Sequence, residues 1–244
     1  MAASVYWGMP LLPRPSASRP PLLYALEAWA ARWPGRCWIC GSWPAQALCE
    51  RCVTRFAQPR PRALAVDGLD ACHAALDYAF PWDRCLRAFK FHGQTGLARP
   101  LASLMWHAPG IAPALEWADL VVPVPLSAPR LRTRGYNQVH ELCRHLLRRM
   151  APGGVRPAYR PHLLRRVRET QAQFELDAPA RRTNLVNAMQ VLLHERGPVH
   201  ERRVVVVDDI MTTGATLREA ARALRQAGAR HVVGVVLAHT PAVS

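Results

Sequence analysis

Long apolar runs are missing from this chain of 244 residues. A helix that crosses a membrane needs about 20 consecutive apolar residues, and no run of that length occurs, which argues against membrane insertion. The first 21 residues also lack a charged start followed by an apolar core, so we predict no secretory signal peptide. Half of all residues are hydrophobic, which is enough for a real core. We therefore expect a soluble protein in the cytoplasm.

Lysine is nearly absent. Lys90 is the single lysine among 32 basic residues, which face 17 acidic residues and give a formal charge of +15. Such a charge suits nucleic acid, phosphorylated small molecules or an acidic protein partner. The arginine excess, together with abundant alanine and proline, also fits a biased genome composition, so the charge supports an anionic ligand without choosing among these. Lys90 is itself a candidate ligand-binding residue, because a compact ammonium and a planar guanidinium are not equivalent.

No internal repeat organises the chain, and three regions differ in character. Residues 1–34 combine a proline-rich lead-in with a short stretch of helical apolar spacing at 22–33. Residues 35–60 hold two closely spaced pairs of cysteines. From residue 70 to residue 244, strand-like and helix-like segments alternate. We therefore predict one α/β domain preceded by a small cysteine-rich unit.

The α/β region carries clear strand and helix patterns. Four short apolar runs predict buried strands, at 75–80, 120–125, 204–207 and 232–239. Apolar spacing predicts helices at 82–91 and 136–150, and a third from near Leu217 to a stop at Gly228. Continuous apolar strands separated by helices are typical of a parallel sheet that is covered on both faces.

The most informative segment is VVVVDDIMTTGAT at 204–216. Its valines predict a strand that ends at the carboxyl edge of the sheet, where open α/β folds bind ligands. Asp208 and Asp209 follow, and then Thr212, Thr213, Gly214, Ala215 and Thr216 lead into a helix. Small and hydroxyl residues at a helix N-terminus form an anion site. A phosphorylated ribose fits both features, with its hydroxyls on the carboxylates and its 5′-phosphate in the loop, and Mg²⁺ would offset the remaining negative charge.

The same segment resembles the phosphoribosyl-pyrophosphate (PRPP) signature of type I phosphoribosyltransferases at essentially every position. The resemblance implies that Asp208 and Asp209 hold the ribose hydroxyls and that residues 212–216 cradle the 5′-phosphate. It also places a pyrophosphate loop at 121–130 and an arginine-rich mobile loop at 130–138. In that loop Arg130, Arg132 and Arg134 are candidates to hold the pyrophosphate, although a solvated basic face is the commoner role of any single arginine.

The cysteines at 37–52 form two C-x-x-C pairs, Cys37 with Cys40 and Cys49 with Cys52. Two thiolate pairs at this spacing complete a tetrahedron around a structural Zn²⁺. Two disulfides are disfavoured in a cytosolic protein, and a redox C-x-x-C would not need the second pair. We therefore predict a zinc ribbon.

The ribbon also carries two tryptophans, Trp38 and Trp43, near the arginines Arg36, Arg51 and Arg55. Tryptophan rings beside arginines can stack on nucleic-acid bases, but here we expect the rings to cover the small ribbon core. The three other cysteines lack a partner at metal spacing and are predicted to be ordinary buried residues: Cys72, Cys85 and Cys143.

A four-cysteine ribbon followed by a PRPP motif resembles the ComF family of competence-associated proteins. The segments that carry the resemblance, besides the motif at 204–216, are LRAFKFHG at 86–93, VPVPLSAPRLRTRGYNQ at 122–138, RVRETQAQF at 166–174 and RRTNLVNAM at 181–189. The resemblance implies a type I phosphoribosyltransferase fold with a small N-terminal zinc ribbon. It also implies a link to uptake of single-stranded DNA in natural transformation, with a helicase-like ATPase as partner, and related folds often dimerise.

Three functions remain open at this point, of which the third is a ligand-sensing regulator, a role that the fold also supports in other families. The first is a phosphoribosyltransferase that uses PRPP and Mg²⁺ and works mainly by electrostatic stabilisation of the departing pyrophosphate. The second is a DNA-uptake factor that binds PRPP, a nucleotide or single-stranded DNA without turnover, which the basic charge favours. Glutamine-dependent chemistry is disfavoured, because the chain has no N-terminal catalytic cysteine.

Overall fold

The computed structural model describes residues 35–45, 47–57, 64–150, 156–167, 187–192, 194 and 197–241. The α-helices in these ranges are α1 (Glu50–Phe56), α2 (Trp82–Phe91), α3 (Ala98–His107), α4 (Ile111–Trp117), α5 (Ala128–Arg134), α6 (Gln138–Leu147) and α7 (Ala215–Gln226). The strands are β1 (Ala71–Asp77), β2 (Leu120–Pro123), β3 (Ala158–Tyr159), β4 (Leu164–Arg166), β5 (Met189–Val191), β6 (Arg203–Met211) and β7 (His231–His239).

Five strands form one parallel sheet in the order β1-β7-β6-β2-β3. The nine-residue strands β6 and β7 lie at its centre, with Val205 opposite Val233 on one side and opposite Val121 on the other. Strands β4 and β5 pair separately as a small antiparallel sheet. The predicted parallel sheet with flanking helices is confirmed.

The valines of β6 explain why both faces of the sheet are covered. Successive side chains of a strand point to opposite faces. Val205 and Val207 belong to the core on the side of α2, α3, α4 and α6, whereas Val204 and Val206 belong to the core on the side of α7. All four are fully buried. An unbroken β-branched run is therefore what this strand needs, because neither face meets water.

The bounds of several predicted elements differ from the structure. The first strand was placed at 75–80, but β1 pairs with β7 from Ala71 to Asp77, and Phe80 lies beyond the end of this pairing with 62% of its surface exposed. Pairing with β7, rather than local composition, sets the bounds of β1.

The segment predicted as a mobile loop at 130–138 contains a helix, α5, followed by the first residue of α6. Pro129 occupies the first turn of α5, where its missing N–H costs no hydrogen bond, and Gly135 ends the helix at φ 78°. Asn137 then caps α6 by accepting from the backbone N–H groups of Val139 and His140. Helix α7 likewise begins at Ala215, two residues before the predicted start at Leu217.

The cysteine-rich unit packs against the sheet domain through α1. The indole N–H of Trp82, the first residue of α2, donates to the carbonyl of Phe56 at 3.0 Å, and the rings of Phe56 and Phe80 meet edge to face. Partly buried apolar residues of this unit pack against the main core that includes residues of α2 and α3: Ile39, Ala47, Leu48, Phe56 and Ala57.

The helix predicted at 22–33 lies outside the described residues, as do most of the segments 166–174 and 181–189. No helix in the described part of the chain is long and apolar enough to cross a membrane.

Candidate functional site

Two carboxylates are buried near the C-terminal end of the central strand. Asp208 and Asp209 belong to β6 itself, which continues to Met211, and their exposed fractions are only 7% and 4%. The carboxylates are held by the adjoining backbone: the N–H of Asp209 donates to Asp208 Oδ1 at 2.8 Å, and the N–H of Ile210 donates to Asp209 Oδ1 at 2.6 Å. The predicted pair thus lies at the carboxyl edge of the sheet, where its charge must be offset by neighbours or by a ligand.

The loop after β6 turns into α7 at a left-handed glycine. Gly214 has φ 72° and precedes Ala215, the first helical residue. A Cβ at position 214 would lie 3.2 Å from a methyl group of Val66, so backbone conformation and close packing both require glycine here. A shallow, open cleft lies at this loop, and its lining residues are Asp208, Ile210, Met211, Thr212, Gly214, Ala215, Thr216 and Leu217. The segment predicted to cradle a phosphate therefore lines a cleft that it shares with Asp208.

Lys90 reaches the carboxylate pair from α2. Its Nζ lies 2.8 Å from Asp209 Oδ1, and its side chain is 16% exposed. Helix α2 ends one residue later, so this ammonium extends from the last turn of the helix towards the edge of β6. The structure thus brings the single lysine of the sequence to the predicted ribose site.

Gln138 is a site residue that the sequence analysis missed. Its amide is 3% exposed, and Nε2 donates to Asp209 Oδ2 at 2.5 Å. Its Oε1 accepts from Arg134 Nη1 at 2.8 Å. One signal could have found it: Gln138 lies four residues before Leu142 on the buried stripe of α6, where a polar side chain needs a partner.

The predicted arginines differ in exposure and in how they connect to the carboxylates. Arg134 connects to Asp209 through Gln138, and its guanidinium lies over the ring of Phe91 at 4.9 Å. Burial is the main cause that lowers the pKa of both Arg134 and Arg166, and the positive charge of half-buried Arg130 adds to it, whereas Arg132 is exposed. Arg166, on β4, is close enough to Asp208 to be affected by its charge. The side chains of Arg130, Arg134 and Arg166 thus form one basic group beside the carboxylate pair.

Asp208 has a strongly perturbed pKa. Burial, followed by the negative charge of Asp209, raises the pKa of Asp208 from 3.8 to about 7. The charges of Lys90 and Arg166 act in the opposite direction without cancelling the rise. The free protein therefore carries a carboxyl pair that takes up a proton more readily than two exposed aspartates would.

This perturbation predicts a pH-dependent stability. Between about pH 4 and pH 7 the folded protein binds a proton at Asp208 that the unfolded chain has released, so the free energy of unfolding falls as the pH rises through this window. Asp208→Asn removes the group and should stabilise the ligand-free protein at pH 8 by roughly 1–3 kcal/mol, with a smaller gain at pH 5. Urea unfolding at both pH values measures the difference. A variant that is less stable than the wild type at pH 8 would contradict this reading of the site.

The four predicted zinc ligands lie together. The Sγ atoms of Cys37, Cys40, Cys49 and Cys52 are all within 4.8 Å of one another. Sulfur atoms at 2.3 Å from a tetrahedral zinc ion are about 3.8 Å apart, so the cluster is compatible with structural zinc. A hydrogen bond to Ser42 is the main cause that lowers the pKa of Cys40 to about 6, which favours the thiolate form that binds metal. The cysteines predicted to be ordinary core residues, Cys72, Cys85 and Cys143, are buried thiols.

The tryptophans of the ribbon do not cover its core, contrary to expectation. Trp38 is 45% exposed and Trp43 is 65% exposed. The small core consists of buried Cys37, Ala45 and Cys52, with Ile39, Cys49 and Phe56 packed against them. Because the cysteines, one alanine and α1 already fill this space, both indole rings are left on the surface.

Comparison with known proteins agrees with this architecture. The model of the family described as "Phosphoribosyl transferase domain" matches residues 165–243. The DNA utilization protein YhgH of Escherichia coli strain K12 is 31% identical over 228 residues, which cover 82% of this chain and 94% of the relative. Competence protein F of Haemophilus influenzae is 34% identical over 158 residues (64% of this chain, 66% of the relative), and competence protein ComFC of Bacillus subtilis is 31% identical over 109 residues (45% and 39%).

Solved structures with partial likeness include one described as the allosteric regulatory enzyme of purine biosynthesis, with 18% identity and a TM-score of 0.39. Another is the glutamine phosphoribosylpyrophosphate amidotransferase of B. subtilis, with 21% identity and a TM-score of 0.34. They match 62% and 59% of this chain, which spans only 30% and 26% of their own lengths. The sheet topology, the family model and the near full-length relatives together place this chain in the ComF family, with a type I phosphoribosyltransferase fold behind a small N-terminal zinc ribbon.

Proposed function

We propose that this protein binds PRPP, or a closely related phosphoribosyl ligand, together with Mg²⁺, and that it acts in DNA uptake. The observation that carries the proposal is the buried pair Asp208 and Asp209 beside the glycine turn at the N-terminus of α7. Carboxylates accept hydrogen bonds from hydroxyl groups, and a helix N-terminus attracts a phosphate. A ribose 5-phosphate unit carries both groups.

Each part of the ligand has a proposed place. The ribose hydroxyls donate to Asp208 and Asp209. The 5′-phosphate accepts from backbone N–H groups of residues 212–216 and from the threonine hydroxyls of that loop. Arg130 and Arg134 would hold the pyrophosphate, and the link from Arg134 through Gln138 to Asp209 supports this assignment. Asp208 and Asp209 would hold Mg²⁺ near the ligand, and the ion would offset the remaining negative charge of the phosphates. The Lys90 ammonium offsets the charge of Asp209 and limits the cost of burying two carboxylates.

The same arrangement suits phosphoribosyl transfer. Cleavage of the bond between the ribose C1 and pyrophosphate develops negative charge on the departing group, and Arg130 and Arg134 would stabilise that charge. Transfer to a nitrogen nucleophile is therefore a candidate activity of the site, and pyrophosphate release in the presence of added nucleobases tests it. The four cysteines of the ribbon form one cluster, so they do not support glutamine-dependent chemistry.

Thermal unfolding tests the binding proposal. PRPP with Mg²⁺ at a hundred times its dissociation constant should raise the melting temperature by about 5–10 °C for a chain of this size. Ribose 5-phosphate should raise it less, and Mg²⁺ alone should leave it nearly unchanged. An equal shift with PRPP and with plain pyrophosphate would contradict a ribose-binding role for the carboxylates.

A second candidate function, contact with single-stranded DNA, is favoured by the surface of the ribbon. Trp38 and Trp43 are exposed, Arg55 lies over the ring of Phe56, and Arg84 lies over Phe80. Exposed aromatic rings beside arginines are typical of surfaces on which unpaired bases stack. Relatives named for DNA utilization and competence add support. Fluorescence anisotropy with labelled oligothymidine tests this function, and unchanged binding after Trp38→Ala with Trp43→Ala would contradict it.

A further inference from the structure

Gln138 is a buried polar residue that the proposed ligand contacts do not use. It is the first residue of α6, and only 3% of its surface is exposed. Its side-chain amide is satisfied at both ends, with Nε2 donating to Asp209 Oδ2 and Oε1 accepting from Arg134 Nη1. A buried amide that links a carboxylate to a guanidinium connects two charged groups with different proposed partners on the ligand.

The bridge depends on the chain turn between α5 and α6. Arg134 is the last residue of α5, Gly135 adopts φ 78°, and Asn137 caps α6. This turn places Arg134 and Gln138 within hydrogen-bond distance although they belong to different helices. Asp209 lies 71 residues further along the chain, in β6. The amide therefore joins the arginine-bearing segment after β2 to the central strand.

Asp209 is held from both sides. Lys90 Nζ and the N–H of Ile210 contact Oδ1, and Gln138 contacts Oδ2. The carboxylate is thus fixed in orientation before any ligand arrives. Arg134 is fixed in a similar way, by Oε1 of Gln138 and by the ring of Phe91. Groups that are already placed for a ligand lose less conformational freedom on binding, and affinity rises accordingly.

The bridge needs a neutral side chain that donates at one end and accepts at the other, as the amide of glutamine does. A carboxylate at position 138 would accept from Arg134 but repel Asp209, and a methionine of similar length would satisfy neither group. An asparagine keeps the amide but is shorter by one carbon, so it cannot contact both partners at once. The chemistry therefore explains a glutamine at a buried position of an otherwise apolar helix face.

We propose that Gln138 is a positioning residue that couples ribose recognition at Asp209 to pyrophosphate recognition at Arg134. The proposal rests on the function proposed above. If Gln138 couples the two groups, the binding free energy of a ligand with both a ribose and a pyrophosphate is more favourable than the sum for its two parts bound separately. Loss of Gln138 should therefore reduce the preference for PRPP over ribose 5-phosphate, and not only weaken both ligands.

The experiment is a double-mutant cycle in full-length, zinc-loaded protein, with calorimetric titration of PRPP and of ribose 5-phosphate at constant Mg²⁺. Gln138→Met and Arg134→Met should each weaken PRPP binding about tenfold, and the double variant should lose little more than either single variant. Ribose 5-phosphate should be weakened only a few-fold by Gln138→Met and not by Arg134→Met. Gln138→Asn keeps a polar side chain for the fold and should lose the same preference for PRPP.

Three results would overturn the coupling. The first is a folded Gln138→Met or Gln138→Asn protein whose PRPP affinity stays within about twofold of the wild type. The second is additive loss in the double variant, close to a hundredfold, which means that Gln138 and Arg134 act independently. The third is equal weakening of both ligands with a lowered melting temperature, which means a structural role alone. Absence of PRPP binding by the wild type is a different outcome, because it overturns the proposed function and the coupling with it.

Discussion

The double variant Asp208→Asn with Asp209→Asn is expected to lose at least a hundredfold in affinity for PRPP with Mg²⁺. Each carboxylate is proposed to accept a hydrogen bond from a ribose hydroxyl, and charge-assisted hydrogen bonds contribute about 1.5–3 kcal/mol each. Because asparagine is neutral, the two substitutions also remove the negative charge that would hold the metal ion near the ligand. Calorimetric titration of the variant beside the wild type measures the loss.

Asp119→Asn is the matched control for this experiment. Asp119 lies at the opposite edge of the sheet, where Arg203 at the start of β6 donates to it through its backbone N–H at 2.8 Å and through its guanidinium. The control makes the same chemical change and should lower stability without weakening PRPP binding. If both proteins bound PRPP as the wild type does, the carboxylate pair would have no role in ligand binding.

Loss of zinc is the second change with a large expected effect. Within the described part of the cysteine-rich unit only three residues form the buried core, so we expect the metal to supply most of its folding energy. Purified protein should contain about one zinc per chain, and Cys49→Ser should contain almost none. The variant should also be cut rapidly by protease between residues 35 and 57. Metal analysis and limited proteolysis with mass spectrometry measure both effects.

Cys85→Ala provides the comparison for the zinc experiment. Cys85 is buried in α2 and lies outside the four-cysteine cluster. The substitution should lower the melting temperature but leave the zinc content and the protease pattern of the ribbon unchanged. A Cys49→Ser protein with full zinc content and an intact ribbon would show that the cluster is not the metal site.

The central strands and the carboxylate pair are features that the sequence predicts directly. An unbroken valine run has one stable place in an α/β domain, between two strands and two helical layers, and the residues that follow it must then lie at the carboxyl edge. The turn into α7 follows by the same logic from Gly214 and its small, hydroxyl-bearing neighbours. Local pattern determines these positions, so local pattern is enough to find them.

Other features depend on tertiary contacts that local pattern does not encode. The bounds of β1 are set by pairing with β7, and the contact between Lys90 and Asp209 joins residues far apart in the chain. Trp38 and Trp43 are exposed because the cysteines and α1 fill the ribbon core first. Helix α5 is a different case, because local sequence does encode it. Pro129 is a helix start signal and Gly135 is a helix stop signal, so the prediction of a loop at 130–138 was avoidable.

The most direct test of the phosphoribosyl site is calorimetric titration of the zinc-loaded wild type with PRPP in the presence of Mg²⁺. The proposal predicts saturable one-to-one binding with a dissociation constant in the micromolar range, and weaker binding of ribose 5-phosphate. No heat of binding at any ligand concentration up to about 1 mM, together with no shift in melting temperature, would contradict it. That result would give β6 and its loop a structural role only. The exposed aromatic and arginine side chains of the ribbon would then be the candidate ligand-binding surface.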